Sequence, residues 1–255
     1  MALHEAAQQG FSNESSTYQR GRPEYPVDLL GWLDRALGVR VGAAIVDLGA
    51  GTGKFTQLLA RLGANVTAIE PVDAMRDRLV EAVPGVRALA GTAESMPLEA
   101  ASVDVVACAQ AFHWFANEAA LREIHRVLRP GGRLGLVWNV RDESVDWVAA
   151  ITKIITPYEG DAPRHYTGRW RQPFDAQALF TPPQRTVFAH RHLGGFDQVV
   201  IDRFMSVSFI AALPSANKRE VEARLRALQG VVPELQSDTI AFPYQTEAWL
   251  SERLG

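Results

Sequence analysis

Short apolar runs alternate with helix-spaced apolar positions through the first half of the chain. Ala43 to Leu48 reads as a buried strand. It breaks into Gly49-Ala50-Gly51-Thr52-Gly53. A helix then opens with Phe55, Leu58, Leu59 and Leu62 on one face, and Gly63 stands at its C-cap. Asn65 to Glu70 is a second strand. A helix over about 73–83 follows, with Met75, Leu79 and Val83 inward, and Pro84-Gly85 ends it. Val86 to Ala90 and Val103 to Ala109 read as the third and fourth strands, the latter almost wholly apolar. A helix from Asn117 to Leu128 carries Leu121, Ile124 and Leu128. Pro130-Gly131-Gly132 then turns the chain into a fifth strand, Arg133 to Asn139. Near-continuous apolar strands between helices predict a parallel sheet covered on both faces, and right-handed crossovers make it doubly wound.

The flanks are less regular. Before the core, Leu29, Leu30, Leu33 and Leu37 line a helix from Val27 to Leu37, preceded by an arm holding Tyr18, Arg20, Arg22 and Tyr25. After it come a helix from Val145 to Thr156, a polar and aromatic stretch from Arg164 to Phe174, and a strand from Arg185 to Leu193. Helices near Asp197–Ile210 and Asn217–Leu228 follow, with a last strand from Thr239 to Tyr244. The division expected is an N-terminal arm or lid (1–40), a ligand-binding core (41–140), and a substrate cap with the remaining strands (141–255).

Composition narrows the function. The chain has 255 residues, 47% hydrophobic, enough for one elaborated domain or a domain with a cap. Net charge is −3 with no run of Lys or Arg, which disfavours a nucleic-acid partner. No stretch of about 18 apolar residues predicts a membrane span. The first ten residues do not read as a secretory signal, so a cytoplasmic protein is the expectation. A lone cysteine, Cys108, lies mid-strand and reads as core. His190 and His192 alternate on one strand face but lack a third ligand, so no metal site is expected.

The chemistry gathers at the first strand ends. Glycines let a backbone approach a ligand where a Cβ would intrude. Glu70, 23 positions after Asp47, closes the second strand, where a carboxylate can accept both hydroxyls of a ribose. Lys54 follows Gly53, but the phosphate-loop spacing G-x-x-x-x-G-K-S/T is absent. Asp47 is expected to hold loop amides or to meet a ligand ammonium through water.

These residues, with Gly91-Thr92-Ala93-Glu94, the fourth strand and Arg126-Val127-Leu128-Arg129-Pro130-Gly131-Gly132, resemble the class I S-adenosylmethionine-dependent methyltransferases over about residues 42–140. The arm Tyr18 to Pro26 and the run Gln110-Ala111-Phe112-His113-Trp114-Phe115 are similar to a narrower branch, which includes trans-aconitate methyltransferase-like small-molecule enzymes. The resemblance implies a Rossmann-like, doubly wound, seven-stranded α/β sheet whose last strand is antiparallel. It implies S-adenosyl-L-methionine as cofactor, met by Gly49, Ala50 and Gly51 at the methionyl part and ribose, and by Glu70 at the ribose hydroxyls. Pro71 and Met75 would pack at the adenine, Thr92 and Ala93 at its edge, and Gln110 or Ala111 near the sulfonium. Many relatives carry Asp where Thr92 stands, so a charged contact to the adenine amino group is lost. Tyr18 and Arg22 would touch the ligand from the lid.

Methyl transfer needs alignment and desolvation more than acid–base groups, unless the acceptor is a hydroxyl. His113 is then the candidate base. Trp114, His165, Tyr166, Arg169 and Trp170 are candidates for the acceptor pocket, arginines there suiting an anionic acceptor. A small-molecule acceptor, methylated on a carboxylate or hydroxyl oxygen, is the expectation. The rivals are an NAD-dependent oxidoreductase, which shares the glycine turn and the acid, and a non-catalytic protein that keeps the cofactor fold.

Overall fold

The computed structural model describes residues 21–175 and 177–255. The first elements are α1 (Val27–Trp32), extended by a π-helical turn Leu33–Leu37, then β1 (Ala44–Leu48), α2 (Lys54–Arg61), β2 (Asn65–Ile69) and α3 (Asp73–Ala82). β3 (Arg87–Leu89), β4 (Val103–Ala109), α4 (Glu118–Val127), β5 (Leu128–Arg141) and α5 (Asp146–Ile155) follow. β6 (Gln184–Gly194), α6 (Ser215–Gln229) and β7 (Ile240–Glu252) complete the order, with short helical turns between them.

The strands form one seven-stranded sheet in the order β3-β2-β1-β4-β5-β7-β6. β1 runs parallel to β2 and β4, β2 to β3, and β4 to β5. β7 runs against β5: the Arg253 N–H donates to the Gly132 carbonyl, and the Asp142 N–H to the Pro243 carbonyl. The apolar strands are buried as their composition demands, with Ile45, Val46, Val105, Val106 and Cys108 at most 2% exposed. Helix α4 shows why these stretches are helical. Leu121, Ile124 and Val127 recur at helical spacing and are all buried, and the Asn117 side chain caps the first turn by accepting from the Ala120 N–H at 2.8 Å.

Two compact units share the chain. The larger holds residues 27–138, 163–188 and 247–255. The smaller holds described residues 21–26, 139–162 and 189–246. The units interleave, where the sequence division was contiguous. Strands β1 to β4 and the turns after them belong to the larger unit. The smaller has its own core, in which Trp147, Val148 and Ile151 of α5 pack with Val199, Phe204, Val221, Leu225 and Phe242.

Three elements depart from the sequence reading, the first being β5, which begins at Leu128 and so takes in Pro130-Gly131-Gly132, read as a turn before it. The single helix expected over 197–210 is three pieces: a π-helical turn Asp197–Asp202, then Arg203–Met205 and Ser208–Ala211. The first two are continuous, and the chain leaves the helix at Ser206, whose hydroxyl donates back to the Arg203 carbonyl (3.0 Å), after which Val207 is extended. The last strand runs on from Tyr244 to Glu252, and Glu247 within this extension is buried with its carboxylate held by partners.

Candidate active site

The strand order reverses between β1 and β4, and open parallel sheets bind ligands beyond the carboxyl ends of strands at such a point. Gly49 leaves β1 at φ 70°, and a Cβ there would stand 2.8 Å from Ala111 Cβ at the end of β4. Only glycine allows that approach. Gly51 (φ 56°) differs: a Cβ there would meet nothing within 4 Å. Gln110 closes β4 at φ 61°, a conformation that costs a non-glycine residue about 1–3 kcal/mol. Its N–H is held by the Val137 carbonyl at 2.8 Å.

Two carboxylates lie buried at this edge. Glu70 accepts the Gly51 N–H on Oε2 (2.9 Å) and the Val72 N–H on Oε1 (3.0 Å). The Ile69 carbonyl takes the Gly49 and Ala50 N–H groups, and the Ala50 carbonyl takes that of Gly53. The expectation that Asp47 holds loop amides is therefore corrected: Glu70 and Ile69 hold them. Asp47 Oδ2 instead accepts the buried Thr56 hydroxyl at 2.6 Å, and Oδ1 is buried without a hydrogen-bond partner among the described residues. Burial pushes the Asp47 carboxyl up to about 7; the Thr56 bond opposes the rise and the Glu70 charge adds to it. Burial likewise raises Glu70, against the amide bonds from Val72 and Gly51 and the Arg76 charge. Arg76, absent from the sequence reading, pins the bend after β2 by donating to the Glu70 (2.8 Å) and Pro71 (3.1 Å) carbonyls.

Met75 is buried near the start of α3, Ala93 is buried, and Thr92 forms an isolated bridge with Ser95. Gly49, Ala50, Gly51, Glu70, Pro71, Met75, Thr92, Ala93, Gln110 and Ala111 all belong to the larger unit. Arg22 belongs to the smaller, where it donates to the Ser206 carbonyl at 3.3 Å. Tyr18 lies outside the described residues.

The candidate acceptor residues fare unevenly. His113 sits in a 3₁₀ turn, Phe112–Trp114, and its Nδ1 accepts the Trp138 indole N–H at 3.1 Å. The neutral ring then carries its proton on Nε2, so neither nitrogen offers a lone pair. In this arrangement His113 presents a donor, and action as a base would require it to give up the Trp138 bond. Trp114 is half-buried, its ring centroid 5.3 Å from that of His113. Trp170 is 2% exposed and packs among Phe112, Trp138, Phe174 and Trp249. So enclosed, it fills core rather than walling a pocket, a second correction. His165 stacks on Trp170 and lies 3.2 Å from Glu247 Oε2, off the N–H direction, so the attraction is mainly electrostatic. Tyr166 and Arg169 are exposed.

Glu247 was not foreseen. It also accepts from Arg185 (2.5 Å) and the Trp249 indole (3.1 Å). Burial pushes its carboxyl up, but the contacts from His165 and Arg185, the His165 charge and the Trp249 bond bring it down to about 2. A lone acid within an apolar stretch was the only clue to it in the sequence. Cys108 is fully buried, its thiol raised well above the usual range mainly by burial. Among the described residues no group of three or more His, Cys, Asp or Glu could hold a metal ion, and no helix is long and apolar enough to cross a membrane.

Comparison with known proteins agrees with this geometry. A family described as a methyltransferase domain matches residues 46–136. An uncharacterised methyltransferase-like protein of Schizosaccharomyces pombe is 38% identical over 245 residues, 95% of each chain. An uncharacterised methyltransferase of Mycobacterium tuberculosis is 40% identical over 242 residues, 92% of each. The crystal structure of the YcgJ protein from Bacillus subtilis, 21% identical, shares the fold with a TM-score of 0.56, covering 89% of this chain and 98% of that one. The oxidoreductase alternative gains nothing from these relatives. A chain aligned end to end with methyltransferases, and with a bare glycine turn and buried acids at its sheet reversal, belongs to the class I S-adenosylmethionine-dependent methyltransferase family.

Proposed function

We propose that the chain binds S-adenosylmethionine where β1 and β4 part, and methylates a carboxylate or hydroxyl oxygen of a small-molecule acceptor. The observation that carries the reading is the glycine turn at Gly51, with room for a Cβ, beside two buried carboxylates, one with an oxygen left without a partner. Buried carboxylates suit a ligand that carries a sulfonium and an ammonium, and repel a pyrophosphate.

Gly49, Ala50 and Gly51 would lie along the methionyl part and ribose. Glu70 would take the ribose hydroxyls on lone pairs its amide bonds leave free. Asp47 Oδ1 would accept from the ammonium, directly or through water. Pro71 and Met75 would border the adenine, Thr92 and Ala93 its edge, and Gln110 and Ala111 the sulfonium. Bound S-adenosylmethionine supplies a methyl group already activated on its leaving group. The protein's own part is then to align and to exclude water, and alignment alone can contribute about 7–11 kcal/mol. With Nδ1 occupied, His113 suits orienting a carboxylate, an acceptor that needs no base. Trp114, Tyr166 and Arg169 are the residues proposed to meet the acceptor.

Calorimetric titration with S-adenosylhomocysteine tests the cofactor reading. Glu70→Ala is expected to weaken binding by about 1–3 kcal/mol, the range for a lost hydrogen bond to a charged group. Glu70→Gln, which can still accept the Gly51 N–H, separates ribose contact from loop support. Unchanged affinity in both variants would remove Glu70 from the site. Turnover of labelled S-adenosylmethionine on carboxylic acids but not on their amides would support the acceptor class.

A further inference from the structure

Among the described residues of the smaller unit, Arg203 and Arg141 carry buried N–H groups that no hydrogen bond satisfies. Arg203 is 7% exposed. Its Nε donates to the Tyr244 hydroxyl at 3.1 Å, and its Nη1 is buried without a hydrogen-bond partner among the described residues. No carboxylate among the described residues lies within ion-pair distance of it. Arg141, its side chain 19% exposed, has its Nε buried and equally without a partner. Its nearest carboxylate is Glu143 at 3.7 Å, which is half exposed and already accepts the Thr152 hydroxyl. Both guanidinium carbons lie near the Phe204 ring, 5.4 and 5.6 Å from its centroid. Burial and the nearby Arg203 charge bring Arg141 below its ordinary value, against Tyr244, Glu143 and Glu159, which oppose the fall. A third cation, Arg22, donates to the carbonyl of Ser206, three residues beyond Arg203.

Anchoring Tyr244 does not account for this. A neutral donor would hold the phenol without the cost of desolvating a charge. Two guanidinium groups with leftover buried N–H groups, near enough to repel, are a disposition that an oxyanion relieves. A guanidinium fork matches two oxygens on one carbon or phosphorus. The Tyr244 oxygen accepts from Arg203, which leaves its own proton to donate. We propose that Arg203 and Arg141, with the Tyr244 hydroxyl, form a binding site for a small oxyanion group, a carboxylate or a phosphate. The site lies within the smaller unit, and the proposal does not depend on the methyl-transfer reading.

The test titrates citrate and inorganic phosphate into the full chain and into Arg203→Met and Arg141→Met, with S-adenosylhomocysteine titrated separately into each. Anion affinity is expected to fall by roughly tenfold or more in both variants, the loss of one charge-assisted hydrogen bond. S-adenosylhomocysteine affinity is expected to hold. Without anion, Arg203→Met should melt no lower than wild type, since it removes a buried uncompensated charge; citrate should raise the melting temperature of wild type alone. Equal anion affinity in wild type and both variants would overturn the site. Should Arg203→Met not fold, Arg203→Lys keeps the charge but loses the fork: weaker anion binding supports the site and unchanged binding overturns it. Turnover restricted to acids and lost in Arg203→Lys would show the anion to be part of the acceptor; citrate binding without turnover would show a separate ligand. Failure of wild type to bind S-adenosylhomocysteine would remove the methyl-transfer reading and leave the anion site standing.

Discussion

Asp47 and Glu70 both end buried at the sheet reversal, but they do different work. Among the described residues, Glu70 is tied to two amides, while Asp47 has one hydroxyl partner and one oxygen with none. Asp47 should therefore cost stability where it is ionised. Its folded value is raised from 3.8 to about 7, so between those pH values the folded chain keeps a proton that the unfolded chain has lost. Stability falls as pH rises through that window. Asp47→Asn is expected to raise the melting temperature by an amount that grows from pH 5 to pH 8, while weakening S-adenosylhomocysteine binding at pH 8. A gap in melting temperature that stays flat with pH would contradict the assignment. The glycines give a second contrast. Gly49→Ala meets Ala111 and a left-handed φ, an expected loss of about 2–5 kcal/mol. Gly51→Ala meets only the φ penalty, about 1 kcal/mol, yet should lose roughly tenfold or more in S-adenosylhomocysteine affinity because the methyl takes ligand space. Chemical denaturation and calorimetry on the pair would read both. The glycine turn and Glu70 were legible because a strand-to-helix turn has few purposes that need three glycines and an acid at the next strand end. The bare oxygen of Asp47 and the indole on His113 were not, since each depends on a neighbour outside its own turn: Thr56 a helical turn on, Trp138 on another strand.

Among the elements, helices with strict apolar spacing and strands of unbroken apolar sequence could be read to within a residue or two. The exceptions are those whose polar residues found partners far along the chain. The last strand was read only as far as Tyr244, whereas Arg185, 62 residues before Glu247, keeps that acid buried and ionised where β7 continues. The helix expected over 197–210 is interrupted at Ser206, whose hydroxyl turns back to the Arg203 carbonyl. Glu247→Gln follows from this. The folded value of about 2 lies below the ordinary 4.5, so the stabilisation is present above about pH 4.5 and is lost as pH falls through 2. The substitution should destabilise the chain by roughly 1–3 kcal/mol at pH 7, discounted for the half-exposed Arg185 partner. It should also flatten the acid limb of the stability profile. Denaturant melts at pH 7 and pH 3 would show it; a loss as large at pH 3 as at pH 7 would mean that shape, not charge, is what Glu247 contributes.

For the molecule as a whole, the order of elements along β1 to β5 announced the fold, because parallel strands with right-handed crossovers leave few topologies. The partition into two interleaved units was not announced. It depends on residues 163–188 and 247–255 returning to the unit of β1 to β4, and no local pattern encodes such a return. The partition has a measurable consequence if each ligand site lies within one unit. S-adenosylhomocysteine should slow amide hydrogen exchange at Gly49 to Gly53, at Val72 and at Gln110 to Ala111, all of the larger unit, and leave α6, of the smaller, nearly unchanged. Ligand binding adds stability in proportion to occupancy, and exchange reports it where local opening is coupled to the site. Citrate should slow exchange around Arg203 and Tyr244 first. Protection by S-adenosylhomocysteine centred on α6, with the glycine turn unaffected, would mean that the donor binds away from the sheet reversal, and the roles given to Gly51 and Glu70 would fall with it.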